Sequence, residues 1–296
     1  MNSNSGKIWM VPLVLTGFYF WSIMPRMTKK PDMSLFRTKL YAHRGLHDNR
    51  TQAPENSMAA FRKAVEAGYG IELDVQLSAD KVPVIFHDFS LQRACKVNGQ
   101  VRDYTFRELR QLRLFDSDER IPSLKEFLAM VDGRVPLIVE YKSEDPDMTV
   151  CEKTDPLLRA YKGSYCIESF NPLVLYWYRK KRPGVVRGQL SDGFIYKPEY
   201  RIPNKAPGSF VFQFLLANFL SKPDFIAYNL LYEGNLSRRL CRNLYKAKAA
   251  AWTVKDREQL RKAARDFDIF IFDSFIPGPD AGQEFPEGTC AAKDRV

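Results

Sequence analysis

The stretch Gly70-Ile71-Glu72-Leu73-Asp74-Val75, GIELDV, decides the fold. Ile71, Leu73 and Val75 alternate with Glu72 and Asp74, so a β-strand is expected with both carboxylates on one face. Like charges placed together repel, and one of them takes up a proton unless positive charge lies between them. A hard divalent cation, Mg²⁺ or Ca²⁺, accepts oxygen ligands of this kind and resolves the conflict.

Outward from this strand, short apolar runs alternate with amphipathic segments. Strands are expected over 40–44, 69–75, 82–87, 135–141, 165–168, 185–190, 225–228, 249–254 and 269–273, and helices over 57–67, 106–112, 124–131, 172–181, 236–247 and 256–267. Thr105 with Glu108 and Ser123 with Glu126 read as capping boxes at helix starts. Strand and helix in repetition argue for a parallel sheet covered by helices, either an open doubly wound sheet or a closed (β/α)8 TIM barrel. One strand is surplus to a barrel. The link 78–81 is too short for a crossover helix, so 69–77 and 82–87 are expected to form an antiparallel hairpin. A two-residue turn at Ala79-Asp80 sets Ser78 opposite Lys81 and Glu72 opposite His87. The remaining strands then close the barrel.

Catalytic side chains of such barrels lie at the carboxyl ends of strands. There the sequence places His43 and Arg44, followed by Gly45; Glu72 and Asp74; His87 and Asp88; and Glu140 with Lys142 in LIVEYK. Three carboxylates, two imidazoles, an arginine and a lysine at one mouth suit a phosphodiester. Glu72, Asp74 and Glu140 supply three oxygen ligands for one divalent cation, leaving positions for water and a phosphate oxygen. The lack of sulfur ligands argues against Zn²⁺. The competing structural reading is a salt-bridge cluster in which Arg44 and Lys142 neutralise the acids.

The chain has 296 residues, 45% of them apolar, enough for one large core. A formal charge of +10 suits nucleic acid, an anionic membrane or a phosphate-bearing substrate. Nucleic acid is not favoured, because no run of Lys and Arg interleaved with aromatics occurs. Cys95, Cys151, Cys166, Cys241 and Cys290 are scattered and odd in number, indicating neither a zinc site nor a disulfide framework. From Ile8 to Met24 run seventeen residues without a charge, flanked by Lys7 and by Arg26, Lys29 and Lys30. With Trp9, Tyr19 and Trp21 near its ends, this run is expected to be an uncleaved, single-pass transmembrane helix. The heavier positive charge on its carboxyl side favours a cytoplasmic catalytic part. The expected organisation is an anchor over 1–27, a linker over 28–38, the barrel over 39–282 and a tail over 283–296.

The segment AHRGLHDNRTQAPENSMAAFRKAVEAGYGIELDVQLSADKVPVIFHDFSLQR, 42–93, with IPSLKEFL, IVEYK, the Ser169-Phe170 pair and Trp252-Thr253-Val254, resembles the glycerophosphodiester phosphodiesterase family. The likeness spans about 40–277. It implies a TIM-barrel, metal-dependent enzyme that hydrolyses glycerophosphodiesters to glycerol 3-phosphate and an alcohol. By similarity Glu72, Asp74 and Glu140 are metal ligands, His43 and His87 the acid/base pair, and Arg44 and Lys142 phosphate-binding positions. Trp252 matches an aromatic wall near the glycerol, and Asn56 is expected to fix the loop after the first strand. The family's T-D-x-P segment is replaced by Phe272-Asp273-Ser274-Phe275-Ile276-Pro277, which leaves Asp273 a weaker match. The insertion domain of longer members is not expected, and 191–222 matches nothing. Within that gap FVFQFLLANFL, 210–220, is too short to span a bilayer and reads as a barrel helix or an interfacial segment. In the second case lysophospholipids join soluble diesters as substrates. From another functional class, a silent membrane-anchored head-group binder is opposed by the intact histidine pair.

Overall fold

A computed structural model describes residues 5–37, 40–144, 146–196 and 206–278. Nine strands form one sheet: β1 Leu40–His43, β2 Gly70–Leu77, β3 Pro83–Ile85, β4 Leu137–Tyr141, β5 Tyr165–Ser169, β6 Arg187–Ser191, β7 Phe225–Asn229, β8 Lys248–Val254 and β9 Ile269–Phe272. All but β3 pair in parallel, in the order β1-β9-β8-β7-β6-β5-β4-β2, and β1 also pairs with β2. That last pairing closes the ring. The fold is therefore a TIM barrel and not an open sheet.

β3 lies antiparallel beside β2, as the short link requires, but its register is one residue away from expectation. Val75 faces Ile85, Gln76 faces Val84 and Leu77 faces Pro83. Ser78 N–H donates to Val82 O at 3.1 Å, so the loop has three residues, 79–81, with Lys81 at φ 61°. A two-residue hairpin turn of type I′ demands positive φ at both central positions, whereas the longer loop demands it at one. Ala79 and Asp80 are spared that conformation.

Alternation along the strands divides the apolar residues into two layers. Ile71, Leu73, Val75, Val139 and Ala251 face outward and join one cluster with Phe61, Phe127, Val131, Leu175 and Tyr178 of the surrounding helices. Tyr41, Ile138, Cys166, Phe225, Ala250, Ile269 and Ile271 form the barrel's inner cluster. A Cβ at Gly188 would fall 2.2 Å from the Phe225 ring, so β6 has glycine where that ring fills the interior. Phe36, from the short helix Ser34–Arg37, joins the inner cluster on the side where the strands begin. The polar mouth lies at the other end. Both expected capping boxes form, at Thr105 and Ser123. Between β3 and the helix Leu124–Val131 a small lobe packs its own cluster, including Leu91, Ala94, Val101, Leu109 and Leu114.

The amino-terminal expectation is corrected. A helix spans Ser5–Ile23, but no helix among the described residues is long and apolar enough to cross a membrane. Its 19 residues contain Lys7 and Pro12, and its last turn is docked on protein. Ile23 is fully buried, Asn218 Nδ2 donates to Ile23 O at 2.9 Å, the Tyr19 and Ser237 hydroxyls meet at 2.8 Å, and Trp21 stacks on Phe219 at 4.4 Å. At about 1.5 Å per residue, the part of this helix ahead of Tyr19, Ser5 to Phe18, measures about 21 Å, against a hydrocarbon layer of roughly 30 Å. Leu13, Val14, Leu15 and Phe18 are exposed. The unmatched FVFQFLLANFL folds as the helices Ala206–Gln213 and Asn218–Ser221 around Leu215 at φ 57°. Gln213, Leu215 and Asn218 are buried, and Tyr228 Oη donates to Gln213 O at 2.9 Å, so the segment covers the barrel. Cys95, Cys151, Cys166 and Cys241 are unpaired thiols. The expected tail over 283–296, with Cys290, lies outside the described residues.

Candidate active site

β1 ends at His43 in a tight turn with Arg44 at φ 54° and Gly45 at φ 83°. A Cβ at Gly45 would lie 2.9 Å from the Ala60 carbonyl carbon, so only glycine lets this turn pack on the helix Met58–Glu66. Arg44 N–H donates to Glu72 Oε2 at 3.0 Å. On β2, Glu72, Asp74 and Gln76 share the inner face and all are buried. Strand register then brings Glu140 of β4 opposite Asp74, and Glu168 of β5 opposite Glu140. One oxygen from each of Glu72, Asp74 and Glu140 lies within 4.8 Å of the others.

Basic groups take part of this acidic cluster. Lys142 Nζ is 2.6 Å from Glu140 Oε1 and 3.1 Å from Asp74 Oδ1, and Arg44 Nε is 3.4 Å from Asp74 Oδ2. Asn56 fixes the loop as expected: its N–H donates to Arg44 O at 2.9 Å and its Nδ2 to Asp74 Oδ2 at 2.8 Å. Burial, then repulsion from Asp74, Glu140 and Glu168, raises the Glu72 carboxyl well above the usual range. Burial also raises Glu140, against the pull of Lys142, and raises Glu168 well above its usual value. Burial works upward on Asp74 too, yet Lys142, His87, Arg44 and the Asn56 hydrogen bond hold it well below. Four carboxylates thus face two cations. A single divalent ion would cancel the deficit, and an all-oxygen donor set fits Mg²⁺ or Ca²⁺. The salt-bridge and metal readings therefore describe the same cluster.

The imidazoles reach the cluster from β1 and from the turn after β3. His43 Nε2 is 4.0 Å from Glu72 Oε2, and its Nδ1 is 3.6 Å from Asp273 Oδ2. Burial, with Arg44 beside it, pushes the His43 pKa down to about 4 against the pull of Asp273. His87 Nδ1 donates to Asp88 Oδ1 at 2.5 Å. Gln76 Nε2 donates to Phe86 O at 2.8 Å and Asp88 O at 2.8 Å, fixing the backbone that carries His87. Trp252 sits on β8 edge-on to Phe170 at 5.8 Å, and Lys142 Nζ lies 5.9 Å from the centre of the Phe170 ring. The Trp252 Nε1–H is buried and makes no hydrogen bond among the described residues.

All the residues singled out from sequence, His43, Arg44, Glu72, Asp74, His87, Glu140, Lys142 and Trp252, thus stand in one connected group. Sequence reading missed Glu168, although its place at the end of a recognised strand was a usable signal. It also undervalued Asp273, which lies between His43 Nδ1 and His47 Nε2, the latter at 3.7 Å. Gln76 was signalled by its spacing, two residues beyond Asp74 on the same face.

Residues 43–275 match the Glycerophosphoryl diester phosphodiesterase family. Glycerophosphodiester phosphodiesterase 1 of Bos taurus is 28% identical over 241 residues, covering 76% of this chain and 67% of the bovine protein. Glycerophosphodiester phosphodiesterase of Bacillus altitudinis is 31% identical over 174 residues, 55% of this chain and 70% of that protein. Among solved structures, a glycerophosphodiester phosphodiesterase from Thermotoga maritima aligns with a TM-score of 0.60 at 26% identity, covering 79% of this chain and 93% of the other. A phosphodiesterase from Oleispira antarctica, solved in complex with the product sn-glycerol-3-phosphate, has a TM-score of 0.62 at 22% identity over 83% of this chain and 94% of the other, a likeness of fold. With the family matched across nearly the whole barrel, from the first-strand histidine to the segment after β9, the chain belongs to the glycerophosphoryl diester phosphodiesterase family and is an enzyme of that class.

Proposed function

We propose that the protein is a divalent-metal-dependent phosphodiesterase that hydrolyses glycerophosphodiesters to glycerol 3-phosphate and an alcohol, in phospholipid head-group turnover. The observation that carries this reading is the convergence of Glu72, Asp74 and Glu140 within 4.8 Å at the barrel end that also carries His43 and His87. The product complex of the Oleispira antarctica relative supports the substrate class.

Glu72, Asp74 and Glu140 are the residues that hold the cation, which when bound supplies Lewis-acid polarisation of a phosphate oxygen. Arg44 and Lys142 offset the charge that builds on the phosphoryl group. One imidazole takes a proton from the nucleophile, water or the substrate's neighbouring hydroxyl, and the other gives one to the leaving alkoxide. Each such transfer typically contributes about 10²–10⁴-fold. Trp252 and Phe170 wall the glycerol arm, and the unpartnered indole N–H donates to one of its hydroxyls.

A coupled assay for glycerol 3-phosphate, run on glycerophosphocholine with chelator and then with Mg²⁺ or Ca²⁺, tests the reading. Turnover restored by the cation supports it; full activity in excess chelator contradicts metal dependence, and no release from any diester contradicts the substrate class. A second reading, hydrolysis of lysophospholipids, draws on the exposed Leu13, Val14, Leu15 and Phe18, which offer apolar surface to an acyl chain. Choline release from lysophosphatidylcholine and from glycerophosphocholine, compared on one preparation, separates the two.

A further inference from the structure

Arg93 lies outside the barrel, in the short helix Gln92–Cys95 of the lobe that follows β3. Its guanidinium forks between two carboxylates. Nη2 donates to Glu55 Oε1 at 2.6 Å, Nη1 to Glu55 Oε2 at 3.0 Å, and Nε to Asp88 Oδ2 at 2.5 Å. Each carboxylate in turn holds a residue of the site: Asp88 Oδ1 accepts from His87 Nδ1 at 2.5 Å, and Glu55 Oε1 accepts from Arg44 Nη1 at 2.9 Å. Arg44, Glu55, Arg93, Asp88 and His87 thus form an unbroken chain of alternating hydrogen-bond donors and acceptors. It joins the loops after β1 and β3, two strands that do not pair. Glu55 is buried, and although burial opposes it, Arg93 and Arg44 hold its carboxyl down to about 2. The Phe115 ring lies under the Arg93 guanidinium at 5.5 Å and fixes the fork from the lobe side.

We propose that Arg93 is a positioning residue for the His87 proton transfer: by clamping Asp88 it holds the imidazole with its proton on Nδ1 and Nε2 free to exchange one, and through Glu55 it ties that ring to Arg44. The inference rests on the reading of His87 as a proton-transfer group. The backbone of the His87 turn is already held by Gln76, so Arg93 governs the side chain and not the fold of the turn. A planar fork with fixed donors is what this geometry uses, and lysine does not reproduce it.

The test compares Arg93→Lys and Arg93→Ala in the parent and in a His87→Ala background, with glycerophosphocholine as substrate. Outer partners of this kind typically matter by about 10–100-fold. Arg93→Ala is expected to lower kcat by that factor with KM within about threefold, and Arg93→Lys to lie nearer to Arg93→Ala than to the parent. Added guanidinium is expected to restore part of kcat to Arg93→Ala. In His87→Ala the same substitution is expected to cost no further kcat, because the residue it acts through is gone. Imidazole ¹⁵N NMR gives an activity-free readout: the His87 proton sits on Nδ1 in the parent and distributes over both nitrogens in Arg93→Lys. Undiminished kcat in Arg93→Ala, an equal further loss in His87→Ala, or an unchanged tautomer in Arg93→Lys overturns the inference. If His87→Ala itself retains normal turnover, the reading of His87 fails first, which is a distinct result.

Discussion

Glu72→Gln separates the two demands made on the acidic cluster. In the metal-free protein Glu72 is a liability: it is 2% exposed, and its carboxyl is raised by burial and by Asp74, Glu140 and Glu168. The folded state therefore binds this proton more tightly than the unfolded chain, so stability falls as pH rises from the ordinary value near 4.5 through the raised one. Glutamine removes that charge while its carbonyl still accepts from Arg44 N–H. In chelator at pH 8 the variant is expected to melt no lower than the parent, and the parent's decline between pH 5 and pH 8 is expected to flatten.

The metal side runs the other way. At a free cation concentration of about 100 times Kd, binding stabilises the parent by about 2.7 kcal/mol, which for a chain of this size is a rise of roughly 4–5 °C in Tm. Losing one of three carboxylate ligands with about a hundredfold weaker affinity leaves about 0.4 kcal/mol at the same concentration, a rise of at most ~2 °C. Differential scanning fluorimetry with Mg²⁺ and Ca²⁺ titrations at pH 5 and pH 8 reads both effects. A variant that melts markedly lower in chelator at pH 8, or that keeps the parent's metal-induced rise, refutes the reasoning.

Three further outcomes follow from the same geometry. His43→Ala and His87→Ala are each expected to lower kcat by at least about 10²-fold with Tm little changed, and near-normal turnover in steady-state assays removes that residue from the chemistry. Asn56→Ala loses a hydrogen bond to a charged acceptor, about 1.5–3 kcal/mol, and strains alanine at φ 56° by about 1–2 kcal/mol, so urea unfolding is expected to show a loss of about 2.5–5 kcal/mol. Asn56→Gly, free of the strain, is expected to lose less, and equal losses contradict the assignment. Trp252→Ala is expected to raise KM more than it lowers kcat, and Trp252→Phe to retain the wall but lose the indole donor; unchanged KM in both places the glycerol elsewhere.

The barrel was legible because its inner and outer layers alternate visibly, as in GIELDV, and because a four-residue link excludes a crossover. The hairpin register was not legible. It turned on one non-glycine residue, Lys81, adopting positive φ, a choice made by the surrounding backbone pairing. The amino-terminal run reads the same whether its apolar side chains meet lipid or protein, and only the packing of Ile23 and Trp21 shows that its end rests on the barrel. Most of the site stood at strand ends and was readable from spacing. Glu168 joins it through the register between β4 and β5, a long-range fact, and Arg93 through a lobe whose docking no local pattern encodes.

The central claim is that one divalent cation rests among Glu72, Asp74 and Glu140. A crystal soaked in Mn²⁺ and measured at its absorption edge tests this most directly. The account expects a single strong anomalous peak bounded by oxygens of all three residues, at about 2.0–2.6 Å. Lys142 Nζ remaining lodged against Glu140 and Asp74 with no peak between them, or a peak elsewhere on the molecule, contradicts it.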